Sequence, residues 1–201
     1  YILWGFLPLS LVLLAMRGLG AFYFGEPVLH GVEALHFAAL WGLAFLFVGL
    51  SEEYLLRGYT LYTLADGIGY WPATIILAAA FAYGHSRNSG ETRLGVIMTG
   101  AFAIFACITL RRTGSLWLAV GAHAGWDWGQ SYFYGVADSG LQVQGHLFNP
   151  RIAGPDWLSG GPVGPEGSAL VLVLMVTMSV LFMVLYRDSD AKPKESQAVQ
   201  A

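Results

Sequence analysis

Glu52 and Glu53 stand side by side at the end of an apolar run, Phe45-Leu46-Phe47-Val48-Gly49-Leu50-Ser51, and Arg57 follows the second of them by four residues. A charged side chain near the centre of a membrane helix costs roughly 2.5–3.5 kcal/mol on insertion scales, so three within six residues need partners, water or a function. Glu53 and Arg57 share one helix face and can form an ion pair, whereas Glu52 points about 100° away. That leaves Glu52 as the carboxylate with no local counter-ion, suited to general-base work. Further along, His85 follows Phe81 by four residues and His123 precedes Asp127 by four, so each pair also shares a face. Carboxylates and imidazoles brought together in this way are the groups of proton transfer, in a hydrolase or in a proton relay.

Glu52, His85 and His123 could also supply three ligands to Zn2+ with a fourth position open. The local His-Glu-x-x-His pattern of many zinc peptidases is absent, however. A carboxylate can activate water without a metal, and the metal-free reading is slightly preferred.

The elements that must position these groups are apolar helices. The chain has 201 residues, of which 56% are hydrophobic and only 11% charged, against about a quarter charged in ordinary soluble domains. An integral, multi-pass membrane protein follows. The sequence predicts an all-α, polytopic transmembrane bundle of about six helices, at Tyr1–Met16, His36–Leu64, Pro72–His85, Leu94–Leu110, Leu116–Phe133 and Ala169–Tyr186. Asp66-Gly67-Ile68-Gly69 before Pro72, and Arg111-Arg112-Thr113-Gly114-Ser115, mark two of the turns. With the first turn near Gly69, Glu52 lies about sixteen residues before it and His85 about sixteen after, which places them at one depth in an antiparallel pair.

No repeat or linker divides the chain, so residues 1–187 are expected to form one domain, with 188–201 a disordered polar tail. The opening residue Tyr1 suggests further chain upstream. Cys107 is read as a small packing residue. Arg111, Arg112, Arg187, Lys192 and Lys194 fall on one side of the bundle and Arg17, Arg87, Arg93 and Arg151 on the other, a bias that puts the C-terminus in the cytoplasm. The net charge of −3 argues against nucleic acid as a partner. His30, His36 and His146 read as interfacial histidines, and Trp126, Trp128, Tyr132, Phe133 and Tyr134 as an interfacial belt. The stretch 134–167 is too apolar for a solvated loop and either lies on the bilayer or covers the site. Arg87, Asn88, Glu91 and Arg93 form a short loop that could meet a substrate carboxylate.

Taken together, Glu52-Glu53-x-x-x-Arg57, Phe81-x-x-x-His85 and His123-x-x-x-Asp127, in this order on separate helices, resemble the motifs of the CPBP intramembrane proteases. That family includes the Rce1-like CAAX prenyl endopeptidases and the bacterial Abi proteins linked to bacteriocin processing and immunity. The resemblance runs from about Gly42 to Trp128. It implies an intramembrane endopeptidase acting on a membrane-embedded or membrane-tethered, or lipid-modified, polypeptide, and the compact size of the chain points to the cytoplasmic membrane of a bacterium. By similarity, Glu52 and His85 activate the attacking water, His123 and residue 127 polarise the scissile carbonyl, and Glu53, Arg57 and Phe81 support them. The common family residue at the last position is asparagine, an amide donor. An ionised Asp127 can only accept, so here it is either protonated or orients His123. The other readings are a catalytically silent binding or immunity protein of the same fold, and a proton-relaying transporter, against which the absence of paired repeats counts.

Overall fold

The computed structural model describes residues 1–88 and 90–186, so the expected tail at 188–201 and the cations Arg187, Lys192 and Lys194 lie outside the described residues. The described chain is almost wholly helical. Helices α1 (Leu3–Gly18), α2 (Gly31–Glu53), α3 (Leu61–Ile68), α4 (Tyr70–His85), α5 (Arg93–Thr113), α6 (Leu116–Trp128), the single turn α7 (Asp156–Ser159) and α8 (Ala169–Leu185) follow one another. The only sheet among these residues is a two-residue antiparallel pair, β1 (Phe22–Tyr23) with β2 (Arg151–Ile152).

The helix ends follow from local chemistry. Gly69, at φ 87°, takes the left-handed turn between α3 and α4 that a side chain would resist. The Thr92 hydroxyl caps α5 by accepting from the Gly95 amide at 3.0 Å. Gly114 closes the same helix in the αL conformation.

Two stretches depart from the expected single helices. Tyr54–Thr60, between α2 and α3, and Gly129–Phe133, after α6, are π-helical. In the first, the Thr60 hydroxyl donates back five residues to the Leu55 carbonyl at 2.7 Å. Each π stretch admits an extra residue per turn and so re-phases the faces of the helix it interrupts.

Two helical stretches are long and apolar enough to cross a membrane, the continuous run Gly31–Ile68 and Arg93–Thr113, while Leu3–Gly18 and Ala169–Leu185 are apolar but shorter. Two of the six expected spans therefore meet the criterion of length. The exterior is apolar as well as the interior. Val32, Leu35, Leu43, Phe47, Tyr54 and Leu55 project outward along α2 and the π stretch.

Inside, α2 packs against α6, α6 against α1, α4 against α5, and α5 against α8. Gly5 of α1 lies against the backbone of α6 at Ala122 and Trp126, and Gly121 and Gly125 of α6 lie against Tyr1 and Ile2, approaches open only to small residues. Leu9, Leu13 and Met16 of α1, Phe105 of α5 and Phe182 of α8 form the main core.

Residues 134–167 fold back across one end of the bundle. They are tied down by β1–β2, by Val28 N–H to Leu147 O at 2.8 Å and by Asn149 N–H to Glu26 O at 3.2 Å. The expected aromatic belt is largely internal. Tyr132 and Tyr134 are buried. Their hydroxyls reach Ala34 O and Ser10 Oγ, and the Trp128 indole donates to Ala38 O at 3.0 Å, so these rings join helices instead of facing an interface.

Candidate active site

Glu53 lies at the end of α2 and Arg57 within the π stretch, both excluded from solvent, with Arg57 Nη1 donating to Glu53 Oε1 at 3.1 Å. The same oxygen accepts from His123 Nδ1 at 2.9 Å, across from α2 to α6. Because a carboxylate oxygen only accepts, Nδ1 must carry the proton. The other nitrogen, Nε2, then faces Glu52 Oε2 at 3.9 Å and Asp127 Oδ2 at 3.5 Å. One buried carboxylate thus holds a cation and an imidazole together and sets the orientation of the ring.

Phe81 of α4 joins the first motif to the second. The Arg57 guanidinium lies 4.9 Å from its ring centre, and the His85 ring centre 4.3 Å from it. His85 Nδ1 donates to the Phe81 carbonyl at 2.9 Å, so in the neutral ring Nε2 is left as an acceptor.

Glu52, His85, His123 and Asp127 all line one cavity of about 770 Å³. Its walls come from α2, α4, α5, α6 and α8, and from Asp138, Ser139, Leu141, Val143 and Glu166. The 134–167 stretch therefore covers the cavity. Most of the remaining lining is apolar, with Trp41, Phe45, Phe102, Trp126 and Met175 among its members beside Asn88, Thr99 and Ser131.

All seven residues singled out by the sequence come together. Four line the cavity with Phe81, while Glu53 and Arg57 lie behind it. His30, His36 and His146 do not line it. Of the 87–93 loop, Asn88 reaches the cavity, whereas Arg87 bonds to the Tyr83 hydroxyl at 2.8 Å and Glu91 accepts from the Thr92 amide. Sequence reasoning missed Ser131, Asp138 and Glu166. Their signal was faint, two acids among glycines and prolines in a stretch with no periodicity to assign depth. Among the described residues, no three His, Cys, Asp or Glu side chains are gathered to hold a metal ion.

The arrangement pairs a cavity-facing carboxylate and an acceptor imidazole with a second imidazole fixed by a buried ion pair. It can accept a proton from water on one side and offer a polar ring to a carbonyl on the other. Residues 34–129 match the family model described as type II CAAX prenyl endopeptidase Rce1-like. No curated protein and no solved structure matched the chain.

Proposed function

From the Rce1-like domain spanning residues 34–129, we propose that this chain is an intramembrane endopeptidase that hydrolyses a peptide bond in a membrane-associated or lipid-modified polypeptide. In this reading it crosses the membrane several times, as one bundle domain over residues 1–187. Glu52, with His85, takes a proton from the attacking water. The oxyanion that forms on the scissile carbonyl lies beside His123 Nε2. Asp127, 3.5 Å from that nitrogen, orients the ring. The proton held by the Glu52–His85 pair then passes to the leaving amine, so the cycle balances without a further co-reactant. Glu53, Arg57 and Phe81 keep the first two motifs in register.

The observation that carries this reading is the convergence of Glu52, His85, His123 and Asp127, from three helices, on a single covered cavity. The metal-free route is adopted because a carboxylate can activate water by itself. The test is cleavage of a membrane-tethered peptide library by the purified protein, wild type against Glu52→Gln of matched thermal stability. General-base participation is worth about 10²–10⁴ in rate, so a loss of at least about a hundredfold is expected. Full activity in Glu52→Gln would remove that residue from the chemistry. A folded wild type that cleaves nothing would turn the reading toward a silent binding or immunity protein.

A further inference from the structure

His123, Asp127 and Ser131 are spaced by four residues along α6 and its π extension, and all three line the cavity. The row leads from the candidate catalytic imidazole to the covering segment. There the Ser131 hydroxyl donates to Asp138 Oδ2 at 2.9 Å, and the Ser139 amide donates to Glu166 Oε1 at 2.7 Å. Both carboxylates are anchored on one side, Asp138 by Ser131 and Glu166 by the amide and side chain of Ser139, and both side chains line the cavity.

A second observation comes from the helix and not from the covering segment. Asp127 is only 8% exposed, faces the same cavity and makes no hydrogen bond among the described residues, its nearest charged neighbour being His123 Nε2 at 3.5 Å. Buried carboxylates are normally paired or fully hydrogen-bonded. The half-buried Glu52, Asp138 and Glu166 share this cavity with Asp127 and two histidines, and no lysine or arginine among the described residues lines it. Arg57 is engaged behind Glu53, and Arg87 is turned to Tyr83.

Resting on the endopeptidase reading, we propose that the cavity selects polypeptides bearing a lysine or arginine side chain, received by Asp138 and Glu166. The eight residues from His123 to Ser131 rise about 12 Å, and an extended substrate advances about 3.3 Å per residue. The cationic residue therefore sits about three or four positions from the scissile bond. A guanidinium or ammonium supplies charged donors to these two cavity-lining carboxylates. A free C-terminal carboxylate placed there meets like charge and is disfavoured.

The test measures binding apart from cleavage. Fluorescent, acyl-tethered peptides identical except for one Arg, Gln or Glu are titrated by anisotropy into detergent-solubilised wild type, Asp138→Asn, Glu166→Gln and the double variant, with unfolding temperatures recorded for each. The Arg peptide is expected to bind wild type about tenfold more tightly than the Gln peptide, and the Glu peptide more weakly than either. In the double variant the Arg preference falls to within about twofold. Equal binding of Arg and Gln peptides by wild type, a comparison that needs no variant, overturns the proposal, as does a preference that survives in a folded double variant. Cleavage of the same peptides is scored separately. Selective binding without cleavage leaves the cationic subsite standing and removes the protease reading, whereas cleavage without selectivity does the reverse.

Discussion

Glu53 Oε1 accepts from both Arg57 and His123, so the most deeply buried carboxylate of the site holds its geometry without facing the cavity. Removing one partner of a buried ion pair costs about 3–5 kcal/mol, because the other charge is left uncompensated. Glu53→Ala should therefore lower stability by about that amount, read from the unfolding midpoint, and should free the His123 ring. Arg57→Lys should be milder in stability yet still lower activity, since an ammonium loses the planar contact with Phe81. Asp127 belongs to a different class. If it orients His123 by accepting from Nε2, Asp127→Asn retains an acceptor oxygen and should keep turnover within about tenfold of wild type, while Asp127→Leu should lose about a hundredfold. Equal losses in the two variants would assign the charge of Asp127, and not its hydrogen bonding, to the chemistry. The pairing of Glu53 with Arg57 was legible in the sequence because both lie on one helix. The bond from His123 was not, because it spans 70 positions of chain.

At the scale of elements, the apolar runs located the helices to within a few residues, and the glycine turns at Gly69 and Gly114 stand where composition put them. The π stretches at Tyr54–Thr60 and Gly129–Phe133 had no compositional signal. They arise because the buried groups on either side must face the same interior, which a continuous 3.6-residue repeat does not deliver over that length. The α1–α6 crossing depends on Gly5, whose added side chain would meet the carbonyl of Ala122 and the amide of Trp126. Backbone cannot yield as a flexible side chain does. Gly5→Leu should destabilise by about 1–3 kcal/mol or more, seen as a lower unfolding midpoint, whereas substitution at Gly18, with open space around it, should be nearly silent.

Across the whole molecule, the covering segment and the helices place charged groups of several elements around Asp138. Burial is the main cause that pushes its carboxyl up to about 6, and Glu52 adds to it, while the Ser131 hydroxyl, His123 and His85 act in the opposite direction. Glu166 is raised as well, by burial and then by Asp138 and Asp127. A raised carboxyl is ionised only above its own value. The preference for a cationic peptide should accordingly be present above about pH 6 and be lost as pH falls through it. Asp138→Asn should flatten that part of the binding profile. The bundle itself makes a further prediction. Single cysteines at Ser115 and at Ser86 should react with a membrane-impermeant reagent from opposite sides of a sealed vesicle, while the buried Cys107 stays unlabelled. Labelling from the same side would overturn the proposal that the chain crosses the membrane several times.

The sequence by itself determined the helical class, the apolar stretches and the seven motif residues, because hydrophobic runs and i, i+4 pairs are local patterns that survive without a fold. It also carried the likeness that the match over residues 34–129 supports. Only the tertiary structure decided that one oxygen of Glu53 serves both Arg57 and His123, that Tyr132 and Trp128 tie helices together instead of forming a belt, and that residues 134–167 roof the cavity with Asp138 and Glu166. The reason is that a segment rich in glycine and proline has no periodicity to fix its side chains. Its acids acquire a place only when the strand pair and backbone bonds at its ends close it over the bundle.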